Sequence, residues 1–265
     1  MNAIDIHVHH SWTKLGERPD YQIERTRQLA RQSGVDKVLL LTGGMDATPE
    51  ELRERNDCTL RLMQSDPDFF LPAMYLCHEH GARIIKEEAR RCAAAGMLAI
   101  KQGLYRVAEV GASQRDLASD TSMDPILEVA AELDIPILFH AWYKTVEVFQ
   151  GELNGADVAA LARRHPHTRI IMAHLTGVGR RGVQDVEDLP NVWVDTCGGW
   201  YDSEMVEYAV RHMGADRVIF GSDYPGRDYA PQIGRVEGTD LPDEVKEKIL
   251  WRNAAEVLGL GKRGR

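Results

Sequence analysis

Eight short apolar runs punctuate the chain: AIDIHVH (3–9), KVLLLTG (37–43), FFLPAMYLC (69–77), MLAIKQG (97–103), PILFHA (136–141), RIIMAH (169–174), NVWVDT (191–196) and RVIFGSD (217–223). Each is nearly continuous in hydrophobicity, the pattern of strands buried on both faces of a parallel sheet. Stretches of helical character separate them. Thr48-Pro49-Glu50-Glu51 reads as a helix start, with Thr48 as cap, Pro49 in the first turn and Glu51 completing a capping box. Asp124-Pro125 opens ILEVAAEL in the same manner, and a last helix near 242–258 ends at Gly259, a residue suited to a left-handed C-cap. Beyond it, GKRGR (261–265) is a basic tail expected to fray. Eight strand–helix units in 265 residues leave short connections, apart from 107–121 and 224–240. That arithmetic favours a single α/β domain over residues 1–260, a (β/α)8 TIM barrel. A doubly wound open sheet is the rival, but no Gly-x-Gly-x-x-Gly follows a strand.

Composition narrows the partners. A hydrophobic share of 43% and a charged share of 28% suit a folded globular protein. A net charge of -9 works against non-specific nucleic-acid binding, which needs clustered positive charge. An anionic small substrate stays open, because local charge in a cleft can oppose the global sign. Cys58, Cys77, Cys92 and Cys197 show no Cys-x-x-Cys spacing, so they read as reduced thiols and not as a zinc ribbon or disulfide framework. No basic stretch followed by an apolar run opens the sequence, and no window approaches eighteen apolar residues, so a cytoplasmic protein without a membrane segment is expected.

In a barrel of this kind the functional site lies at the C-terminal ends of the strands. Four runs end in side chains of metal-ligand type: His7 and His9 on the first, His140 on the fifth, His174 on the sixth and Asp223 on the eighth. Alternation along a strand puts His7 and His9 on one face and Ile4, Ile6 and Val8 on the other. Imidazoles and a carboxylate suit zinc or another divalent first-row ion, with a position left for water. A bound water of that type reaches a pKa of about 7 and supplies a nucleophile at neutral pH. Asp223 can then serve as ligand and base, while His174 polarises a substrate carbonyl.

The combination of Asp5-Ile6-His7-Val8-His9, His140, His174, Gly221-Ser222-Asp223-Tyr224-Pro225 and Asn253-Ala254-Ala255 resembles the amidohydrolase superfamily. Within it the nearest resemblance is to the amidohydrolase 2 family, whose members include aminocarboxymuconate semialdehyde decarboxylase. The resemblance implies a (β/α)8 barrel holding one divalent ion, usually zinc with manganese or iron as alternatives, on residues matching His7, His9, His140 and Asp223. It implies that His174 is catalytic and close to the ion without being a regular ligand.

Lys101, at the end of the fourth run, is expected to orient substrate; a carboxylated lysine bridging two ions is the alternative. Trp142 and Lys144 after the fifth run, Trp200 after the seventh and Arg227 after the Asp223 motif belong to loops at the barrel mouth. Aromatic platforms and cations there suit a small planar or carboxylated substrate. His78 and His80 are assigned to the rim, His10 to structure, and His165, His167 and His212 to roles outside the site. The leading expectation is a metal-dependent hydrolase of a small amide, lactone or ester. The alternative is a non-oxidative decarboxylase of a small carboxylated aromatic or muconate-like acid. The acidic exterior accommodates either a monomer or a homodimer.

Overall fold

All eight apolar runs form strands of one parallel sheet whose neighbours follow chain order: β1 (Ala3–His9), β2 (Val35–Leu41), β3 (Phe70–Tyr75), β4 (Ala99–Gln102), β5 (Ile137–Phe139), β6 (Ile170–Met172), β7 (Val192–Asp195) and β8 (Val218–Ile219). The structure, a computed structural model, describes residues 2–10, 19–43, 47–102, 121–144, 152–199 and 203–261. The ends of the sheet meet: the Ile6 amide donates to Phe220 O at 3.2 Å and the Asp223 amide to His7 O at 2.8 Å. A helix follows each strand, and the architecture is a (β/α)8 barrel.

Local signals explain some element boundaries. The helix Pro49–Ser65 begins as expected, with Thr48 Oγ1 accepting the Glu51 amide and the Glu51 carboxylate accepting the Thr48 amide at 2.8 Å. The helix Asp124–Glu132 departs from expectation. Met123 occupies its cap position without a side-chain bond, because the Asp124 carboxylate is taken by Arg164 and His165, each 2.8 Å away. The connection 224–240 contains a helix of its own, Tyr229–Glu237. The final helical stretch is interrupted: a π-helical turn, Lys248–Arg252, lies between Asp243–Glu247 and Asn253–Val257 and buries Ile249 and Leu250. Gly259 has φ 67°, as its C-cap role requires.

Two apolar layers sandwich the sheet. Inside the barrel, Ile4, Ile6, Leu39, Leu41, Leu71, Ala99, Leu138 and Ile171 pack together over Val257 and Leu258 of the last helix. Outside, Val8, Leu40, Phe70, Ile100 and Phe139 pack against helix residues such as Ile85, Leu127 and Val158. Ile4 and Ile6 therefore lie in the opposite layer from Val8. The cause is a register shift in β1 between Asp5 and Val8, where Asp5 pairs with Val38 and Val8 with Leu40. This bulge breaks simple alternation and turns the strand's C-terminal end toward the barrel mouth. Cys77, Cys92 and Cys197 are buried, Cys58 is partly so, and all four thiols are free. No helix among the described residues is long and apolar enough to cross a membrane.

The helices Gly155–Arg164 and Leu175–Val186 approach closely at two glycines, where a Cβ on Gly155 would fall 2.7 Å from Gly182 Cα and 2.6 Å from Asp185 Oδ2. Backbone cannot yield as a flexible side chain does. Gly155→Ala is expected to cost about 1–3 kcal/mol through overpacking, a loss that thermal denaturation will register as a lower Tm.

Candidate metal centre and active site

The bulge places His7 and His9 side by side at the C-terminal end of β1. Their Nε2 atoms are 3.1 Å apart. Asp223 Oδ1 lies 3.3 Å from His9 Nε2 and 3.6 Å from His7 Nε2. One donor atom from each of the three lies within 4.8 Å of the others. The His7 tautomer follows from its other nitrogen: Nδ1 is 2.7 Å from Asp195 Oδ2, so Nδ1 donates and Nε2 turns a lone pair toward His9 and Asp223. Two imidazole nitrogens and a carboxylate converging without a hydrogen between every pair are what a divalent cation would satisfy, and the donor chemistry fits one.

Asp223 and His174 share a backbone peculiarity. Both have left-handed conformations, with φ 66° and φ 70°, in non-glycine residues, a strain of about 1–3 kcal/mol each that the surroundings must hold. Asp223 is held by its amide bond to His7 O, and its own carbonyl accepts the Arg227 amide at 3.1 Å. His174 is held by its amide, which donates to Asp195 Oδ1 at 2.8 Å. Its Nδ1 donates to Ala141 O at 3.2 Å, which leaves Nε2 as an acceptor. The ring sits 5.0 Å from His7 and 4.9 Å from Trp142, centre to centre. His174 stands beside the His7–His9–Asp223 group without joining it; its own ligand-distance neighbours are His7 and Cys197. Burial keeps the His174 ring neutral. Burial also works to raise the Asp223 carboxyl, but the hydrogen bond from His9 and the imidazoles of His7 and His174 beside it prevail and hold it well below the usual range.

His140 is not one of the three residues whose donor atoms all lie within 4.8 Å of one another, and it stands next to them. Its ring lies 4.7 Å from that of His174, and its Nε2 is 2.7 Å from Glu152 Oε1. Lys101 is buried at the end of β4, and its Nζ has no hydrogen-bond partner among the described residues. Burial lowers that ammonium to about 8, with the nearby charges of Asp195 and Asp223 opposing the shift. The Trp142 indole lies where a Cβ on Gly177 would come within 2.7 Å of it, and its Nε1 is buried without a partner among the described residues. Arg227 reaches the same wall: a Cβ on Gly199 would be 2.7 Å from Arg227 Nη2 and 3.3 Å from the indole. Lys144 Nζ lies 5.6 Å from the Trp142 ring centre and pairs with Glu152 at 2.9 Å. Trp200 lies outside the described residues.

Four other histidines have partners elsewhere. His10 Nε2 bonds Thr59 Oγ1, His80 Nε2 donates to Ala47 O, and His165 and His212 face Asp124 and Glu187. His165 is thus partly buried against a carboxylate and not simply solvated, and His212 meets the carboxylate of Glu187, which ends the helix Leu175–Val186.

Two side chains of the site escaped the sequence reading, Asp195 and Glu152. Asp195 closes the seventh apolar run as Asp223 closes the eighth, so the strand-end rule would have found it. Its carboxylate accepts from His7 Nδ1, the His174 amide, the Cys197 amide at 3.3 Å and the Cys197 thiol at 2.9 Å. Burial opposes the charge, yet His7 and these donors bring the group down to about 2. Asp195→Asn is expected to weaken ion binding about 10–100-fold, because His7 loses the acceptor that fixes its tautomer. Competition with a fluorescent chelator will measure it.

The family model described as amidohydrolase matches residues 4–260. The chain belongs to the amidohydrolase 2 family. A relative, gamma-resorcylate decarboxylase of Polaromonas sp. strain JS666, is 26% identical over 72 residues, a segment spanning 27% of this chain and 22% of that protein. Among solved structures, 2,6-dihydroxybenzoate decarboxylase in complex with 2,6-dihydroxybenzoate matches with TM-score 0.80 at 15% identity, over 98% of this chain and 100% of the other. A dihydroxybenzoic acid decarboxylase from Polaromonas sp. JS666, with bound manganese and the inhibitor 2-nitroresorcinol, matches with TM-score 0.78 at 17% identity, over 100% of this chain and 98% of the other. At such identities the structural likeness establishes the shared fold. The donor set and the manganese in that neighbour support a divalent ion for this amidohydrolase 2 member, and neither singles out zinc.

Proposed function

We propose that this protein is a non-oxidative decarboxylase of a small carboxylated aromatic acid, in place of the hydrolase that the sequence put first. The observation that carries the reading is Lys101. An ammonium buried without a hydrogen-bond partner among the described residues is costly, and a neutral amide or ester offers it no charged acceptor. An anionic carboxylate entering beside it would supply the missing acceptor. The fold neighbours that act on hydroxybenzoates, and the decarboxylase relative, support the same choice.

A divalent ion on His7, His9 and Asp223, with His140 as a fourth ligand, would supply Lewis acidity to anchor and polarise the oxygens of the substrate. Lys101 binds the carboxylate, Trp142 offers a flat apolar wall to the ring, and Arg227 closes the mouth. His174, with Nδ1 committed to Ala141 O, takes up a proton from solvent at Nε2 and hands it to the ring carbon. The bonding pair of the broken carbon–carboxyl bond stays with that carbon, carbon dioxide leaves, and a new C–H bond replaces the old one.

The reading is tested with a panel of ortho- and para-hydroxybenzoates by following carbon dioxide release and, in heavy water, deuterium at the vacated ring position. Turnover without carbon dioxide but with uptake of oxygen from labelled water returns the protein to the hydrolases. Lys101→Met is expected to raise KM for the acid by about 10-fold or more, the cost of losing one charge-assisted hydrogen bond of about 1.5–3 kcal/mol. Initial-rate measurements will show it.

A further inference from the structure

We infer that Glu152 is a positioning residue that commits His140 to ion binding by fixing which of its nitrogens carries the proton; the inference rests on the divalent-ion reading given above. Glu152 lies in the loop after β5, two residues before Asn154, whose side chain caps the helix Gly155–Arg164. Its side chain is 1% exposed and its Oε1 lies 2.7 Å from His140 Nε2 and 2.9 Å from Lys144 Nζ. A carboxylate oxygen at that distance accepts a hydrogen, so His140 carries its proton on Nε2. A neutral imidazole so arranged has one lone pair left, on Nδ1.

The same device operates on His7, where Asp195 takes the Nδ1 proton and leaves Nε2 as the lone-pair atom. Two histidines on opposite sides of the barrel thus each have a buried carboxylate that selects the atom offered to a cation. The usual alternative for a buried glutamate is a purely structural ion pair, and Lys144 alone would satisfy that role. The further bond to His140, whose ring lies 4.7 Å from that of His174, brings this carboxylate to the site itself. Carboxylates that hold ligating imidazoles in this way tune ion affinity without touching the ion.

The test uses the full-length, metal-stripped protein and manganese chloride, with free Mn2+ read by its paramagnetic resonance signal. Glu152→Ala and His140→Ala are each expected to weaken manganese binding about 10–100-fold, and the double variant is expected to bind no more weakly than His140→Ala alone. Glu152→Gln keeps an acceptor oxygen without the charge and is expected to fall between wild type and Glu152→Ala. Should the alanine variant fail to fold, the cycle of Glu152→Gln with His140→Ala decides in the same way. Long-range proton–nitrogen correlations of the metal-free protein are expected to show His140 as the Nε2–H tautomer in the wild type and as a mixture in Glu152→Ala. Additive losses in the double variant, or a Glu152→Ala protein that binds manganese as the wild type does, overturn the inference alone. A wild type that takes up no manganese overturns the divalent-ion reading and this inference with it.

Discussion

Asp223→Asn is expected to abolish ion retention and turnover together. Asparagine keeps the shape of the side chain and its amide bond to His7 O, so the left-handed turn after β8 survives. What goes is the charge. With Asp223 anionic, the two Nε2 atoms at 3.1 Å face a carboxylate at 3.3 and 3.6 Å, an arrangement that a dication completes. With a neutral amide in its place, the group keeps its imidazoles and loses its one carboxylate. The fall in affinity is therefore expected to exceed the about 10–100-fold typical of groups one bond removed from an ion. Elemental analysis of protein purified without chelator gives the retention, and carbon dioxide release gives the turnover. An Asp223→Asn protein that keeps a full equivalent of metal would remove Asp223 from the ligand set.

Much of the fold is legible in the sequence because a parallel barrel buries its strands on both sides, which makes each strand a continuous apolar word and leaves its C-terminal end as the place where polar residues are informative. His7, His9, His174 and Asp223 are found by that rule, and Asp195 obeys it too. The rule fails where geometry departs from regular alternation or where a partner comes from far along the chain. Ile4 and Ile6 sit inside the barrel because of a bulge that no residue of β1 announces. Asp124 looks like a helix cap and is instead drawn to Arg164 and His165, forty positions away. Glu152 carries no motif at all, since it reaches His140 from within a loop. The reaction is the least legible feature: the same imidazoles and carboxylate serve hydrolysis and decarboxylation alike. What separates the two in our reading is that Lys101 is left without a hydrogen-bond acceptor among the described residues, and a single sequence does not show that.

His174→Ala is the variant that separates chemistry from ion binding. The His174 ring is not within the His7–His9–Asp223 group, and its removal leaves the tautomer of His7 under the control of Asp195. Metal content is therefore expected to stay near that of the wild type. Activity is expected to fall about 10^2–10^4-fold in kcat, the range for losing a positioned proton donor, with little change in KM because Lys101 and Trp142 still hold the acid. The backbone argues for the same selectivity. A left-handed residue is kept at 174 by its amide bond to Asp195 and by its carbonyl, which accepts the amides of Gly177 and Val178 at 2.7 and 2.8 Å, and alanine preserves all three. Alanine adopts that conformation at a cost of about 1–2 kcal/mol, so a small loss of Tm is expected beside the large loss of rate. A His174→Ala protein that loses its metal as completely as Asp223→Asn would make His174 a ligand and leave the proton to be delivered by another group.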